Sequence, residues 1–85
     1  MNIAINGLHK LPLEHYSNKS AIYISGNFGT ATVDIVKKSG FPVNESPITT
    51  NTPFSLEHGR GATLYLEVSG VSGSTSIDVD VYGSG

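Results

Sequence analysis

The closing stretch TSIDVDV sets Asp78 and Asp80 two positions apart. Two carboxylates at that spacing could hold a divalent cation or share acid–base work. Three histidines, His9, His15 and His58, add possible ligands or bases, and Glu14–His15 and Glu57–His58 each put a carboxylate directly before an imidazole. SGNFG, with Gly26 and Gly29, offers a glycine-rich loop, and HGRG places Arg60, the only arginine, between two glycines. Each of these asks for a particular backbone. Calcium wants about six to eight oxygens from a wrapping loop, an HExxH-type zinc site wants a helix, and a phosphate loop wants a lysine and a following helix.

The backbone that the sequence implies is extended instead. Apolar residues alternate with polar ones at period two: Val33 and Ile35; Ala62, Leu64, Leu66 and Val68; Ile77, Val79 and Val81. Shorter runs give Ile22 and Ile24, Phe54 and Leu56, Ile3 and Ile5, and Ile48. The breaks between them are SGNFG, KKSGFPVNESP, NTP, HGRG and SGVSGS. Strands recur every ~10 residues, the spacing of an antiparallel sandwich. The expected fold is therefore all-β, a single small antiparallel sandwich of jelly-roll-like form with six to eight short strands. Residues 1–20 are read as an N-terminal strand or arm and residues 21–85 as the sandwich.

On such a scaffold the chemistry recedes. Alternation turns Asp78 and Asp80 to solvent on a flat strand, ~7 Å apart and with too few further oxygens. Neighbours in a strand point to opposite faces, so neither Glu–His pair is set for a carboxylate–imidazole bond, and the histidines read as surface imidazoles at strand ends. SGNFG reads as a hairpin loop with glycine or Asn27 at positive φ. No serine lies in a nucleophile-elbow context. The chain is expected to be non-enzymatic, without metal or cofactor.

Composition agrees. With 85 residues there is room for one core. A net charge of −2 supplies no basic field for nucleic acid or an anionic membrane, so neither is expected as a partner. The absence of cysteine removes disulfides and thiolate sites and fits folding in a reducing compartment. No apolar run approaches the ~20 residues of a membrane span, and MNIAINGLHKLPLEHY is not patterned as a signal peptide.

From residue 21 to 83 the order of patterns resembles small all-β bacteriophage structural proteins: a GTATV strand, an F-x-L strand in FSLEH, GATLYLEVSG, and a closing TSIDVDV. The resemblance implies a virion component assembled in the host cytoplasm, either a capsid cement (decoration) protein or a tail accessory module. It further implies the major capsid protein or other virion subunits as partners. A carbohydrate-binding or host-adhesion β-module is the alternative, with exposed tyrosines stacking on sugar rings.

Size points to assembly independently, because a domain this small without disulfide or metal is marginal alone and self-association would stabilise it. Residues expected to contact partners are Tyr23, Tyr65 and Tyr82, which alternation places outward together with Val36, and Arg60 on its loop. Leu11, Leu13 and Tyr16, in a stretch without clean alternation, are expected in an arm that reaches a neighbour.

Overall fold

In a computed structural model, residues 1–13, 18–36 and 47–84 are described. They form seven strands: β1 (Asn2–Ile3), β2 (Gly7–Pro12), β3 (Lys19–Asn27), β4 (Thr32–Val36), β5 (Thr52–Glu57), β6 (Thr63–Ser69) and β7 (Ser76–Ser84). Two antiparallel sheets result, ordered β1-β7-β3-β5 (sheet A) and β2-β6-β4 (sheet B).

The topology is that of a wound ribbon. β1 pairs with β7, β2 with β6 and β3 with β5, leaving β4 at the ribbon's tip. Winding then lays β3 against β7 and β4 against β6. This is a jelly roll, in which the strand that would partner β4 is, among the described residues, a single bridge between Val33 and Ile48. Each of the seven described strands lies in the other sheet from the one before it. SGNFG is thus an arch between sheets rather than the expected hairpin, although Gly26 (φ 123°) and Gly29 (φ 56°) do take positive φ.

Alternation decides the core. Val33, Ile35, Phe54, Leu64, Leu66, Val68, Ile77 and Val79 are buried as expected, with Leu56 and Val81 partly buried against them. Ile3, Leu13, Ile22, Ile24, Phe28, Ala31 and Ile48 complete it. Ile5 departs from expectation and is 67% exposed. The chain crosses from sheet A to sheet B between β1 and β2, and the crossing breaks the alternation that Ile3 and Ile5 share in sequence.

The stretch read as an arm is built into both sheets, as β1 and β2. A two-residue β1 is held further by its neighbour, since Met1 and Val79 exchange both backbone bonds, at 3.0 and 2.8 Å.

One end of the sandwich is laced together by short polar side chains. Asn6 Oδ1 accepts from Val71 N–H, Asn51 Oδ1 from Gly26 N–H, Thr30 Oγ1 donates to Gly70 O, and Thr75 Oγ1 donates to Phe28 O. Four connections therefore satisfy one another's backbone groups. They fix where β3 and β7 start their long shared ladder.

Candidate docking face

Of the tyrosines expected to meet a partner, the structure brings two together, on the outer face of sheet A. Tyr23 on β3 stands between Pro53 on β5 and Asp80 on β7. Ser25 stands beside Asp78, which in turn faces Asn2. The ladder then slips: Ile22 pairs with Val81 but Ala21 pairs with Gly83, leaving Tyr82 as the extra residue of a bulge. Bulges bend a strand and re-aim side chains, and Tyr82 is 61% exposed against 37% for Tyr23. Gly83 lets the strands approach closely beside the bulge, since a Cβ there would come within 3.3 Å of the Ala21 Cβ. The floor around the two rings is accordingly small: Ala21, Ser25, Ser55 and Gly83.

The two aspartates of the closing strand differ in a way that spacing does not show. Asn2 Nδ2 donates to Asp78 Oδ1 at 2.9 Å and to Ser76 Oγ at 3.0 Å, so Asp78 helps hold β1 on β7. Asp80 has no hydrogen bond or ion pair among the described residues, and the hydroxyls of Tyr23 and Tyr82 have none either. Both aspartates are exposed, and no group of three metal-ligating side chains occurs among the described residues. Calorimetric titration with calcium or zinc is expected to give no stoichiometric heat. A sub-micromolar site abolished by Asp80→Asn would contradict that.

The remaining candidates lie apart from this face. Tyr65 is half-buried on the outer face of sheet B, between Lys10 and Val36. The Lys10 Nζ lies 5.9 Å from its ring centroid, within cation–π reach. Arg60 is exposed in the loop between β5 and β6. Leu11 is partly buried against the core. Leu13 is fully buried and its N–H donates to Ala62 O at 2.7 Å, so it packs the core instead of reaching a neighbour. Tyr16 lies outside the described residues, as does His15.

His58 corrects the reading of the histidines as surface groups. It is 6% exposed, and its ring joins Ser20 Oγ through Nε2 at 2.8 Å and Gly59 O through Nδ1 at 2.9 Å. A carbonyl can only accept, so Nδ1 carries the proton and Nε2 accepts from the Ser20 hydroxyl. Nucleophile, base and orienting group stand in the order that activates a serine, yet Ser20 is 0% exposed and faces the core. The arrangement staples β3 to the end of β5, where both groups would otherwise be buried unsatisfied.

His9 is half-buried and its Nε2–H donates to Ile5 O at 2.9 Å. Sequence reasoning missed Ser20. Its only signal was phase, since Ser20 continues inward from Ile24 and Ile22.

The staple makes a stability prediction. Ser20→Ala and His58→Ala should each cost about 1–3 kcal/mol by stranding the other's polar atom, and His58→Ala also loses ring packing. The double variant should cost less than the two together by about 1 kcal/mol, measured by urea denaturation. Strict additivity would mean that the hydrogen bond contributes nothing.

Comparison with protein-family models, with curated proteins and with solved structures finds no match to this chain.

Proposed function

We propose that this chain is a non-enzymatic structural protein of a bacteriophage particle, a cement or decoration protein that docks on the major capsid protein or another virion subunit. The observation that supports docking is the outer face of sheet A, where Tyr23 and Tyr82 stand exposed over small side chains. Tyrosine suits protein interfaces because it buries a large ring while its hydroxyl keeps a polar partner. The virion reading draws on the order of strand patterns from residue 21 to 83 and on the jelly roll, an architecture used by viral capsid proteins and by lectins.

The shared architecture also supports a second reading, a carbohydrate-binding or adhesion module. The specific observation in its favour is that two aromatic rings flank an acceptor, Asp80, on one open face. Copy number separates the readings. Purified particles that contain the chain in hundreds of copies, by gel densitometry, make it a capsid decoration protein, and a few copies make it a tail component. Its absence from particles overturns the virion reading.

A further inference from the structure

We propose that Tyr23, Asp80 and Tyr82 form a receptor for a guanidinium group, so that what this face recognises on its partner is an exposed arginine. The inference rests on the reading of sheet A as a protein-docking face and names the chemistry of the docked surface.

Asp80 is the reason. Its carboxylate is exposed and has no internal partner, whereas Asp78, two residues away, is held by Asn2. Tyr23 lies directly across the ladder from Asp80, and Tyr82 follows it on β7, turned out by the bulge. A free anion is thus bordered by two aromatic rings, with Ala21 and Gly83 leaving the space between them low. The Met1 ammonium, one position along the same edge, donates to Val79 O at 3.0 Å and makes no ion pair with Asp80. Among the described residues the basic side chain on this face is Lys19, which lies in register with Glu57 two positions along β3 from Ala21. Neither cation pairs with Asp80, so its carboxylate is left without a direct counter-charge.

Arginine fits that geometry better than the alternatives. Its planar fork meets a carboxylate with two parallel hydrogen bonds, and the same plane stacks on a tyrosine ring, which a lysine ammonium cannot do. Tyrosine faces attract cations through their quadrupole. A sugar could stack on the same rings and accept from the Tyr23 and Tyr82 hydroxyls, but a neutral ligand leaves the Asp80 charge unpaired, whereas a guanidinium pairs with it.

The test uses the whole 15N-labelled chain and two peptides, acetyl-Gly-Arg-Gly-Arg-Gly-amide and its lysine counterpart, titrated at low salt and followed by two-dimensional NMR. The expected result is a set of amide shifts confined to residues 21–25 and 78–83, with millimolar affinity for the arginine peptide and several-fold weaker binding of the lysine peptide. Asp80→Asn should weaken binding about tenfold and Tyr82→Ser about threefold, while Asp78→Asn changes it little. Unchanged spectra of the variants away from the site establish that they fold.

Equal response to both peptides, or equal loss in Asp78→Asn and Asp80→Asn, would reduce the site to a diffuse acidic field and overturn the proposal. So would shifts in these residues with a gluco-oligosaccharide but none with the arginine peptide, which would assign the face to glycans. If the arginine peptide binds as expected and the Asp80→Asn protein still enters particles at full occupancy, guanidinium recognition stands and the docking role of this face falls.

Discussion

Truncating Leu66 to alanine should lower the unfolding free energy by about 2–5 kcal/mol. Leu66 is fully buried at the middle of β6, the central strand of sheet B, with His9 and Ile35 on either side in register. Its side chain points across the sandwich, and the close-packed layers on both sides can collapse only partly into the space left behind. Val79, 1% exposed on the central part of β7, should lose less on truncation because fewer buried carbons go. A domain of this length has roughly 4–13 kcal/mol of stability in total, so the Leu66 variant should show a large fall in its urea midpoint. Leu8 is the control. It lies on the neighbouring strand β2 but is 46% exposed, and Leu8→Ala should stay within about 0.5 kcal/mol of the parent. Equal losses at Leu66 and Leu8 would mean that β2 and β6 are turned the wrong way.

That contrast marks how much of the molecule can be read from the chain alone. Period two assigns faces, and the inward sets of β4, β6 and β7 follow from it directly because each run stays within one sheet. It does not assign partners. Among the described strands the nearest paired residues are Ile24 and Thr52, 28 positions apart, so these ladders join segments that are distant in sequence. Phase is lost wherever the chain changes sheet, and for that reason Ile5 emerges to solvent while Leu13, past Pro12, turns in. The candidate site suffers from the same limit. That Tyr23 and Tyr82 share a face is legible, but that they are neighbours depends on the β3–β7 register. The bulge that lifts Tyr82 has only Gly83 as a trace in the sequence, and the difference between Asp78 and Asp80 rests on Asn2, 76 positions from Asp78. Ser20 and His58 are likewise 38 positions apart.

A second large effect should separate two causes that glycine usually confounds. Gly7 and Gly26 have nearly the same backbone, φ 125° and 123°, which side-chain-bearing residues rarely adopt. Their surroundings differ. A Cβ on Gly7 would meet nothing within 4 Å, whereas one on Gly26 would clash with the Ser76 carbonyl oxygen, well inside their van der Waals contact distance, at the start of β7. Gly7→Ala should therefore cost the conformational strain alone, about 1–3 kcal/mol. Gly26→Ala should cost that strain plus the displacement of a backbone carbonyl, about 2 kcal/mol more. Little give is available at Gly26, since its N–H is tied to Asn51 Oδ1 at 3.0 Å and its residue partner across the ladder is the buried Ile77. Urea denaturation of the two single variants measures the difference. If both lose the same amount, the close approach of β3 to β7 at Ser76 is not what requires glycine, and the backbone angle alone explains both positions. If Gly26→Ala loses clearly more, the arch that carries the chain from sheet A to sheet B owes its shape to that contact, and with it the register that places Tyr23 beside Asp80.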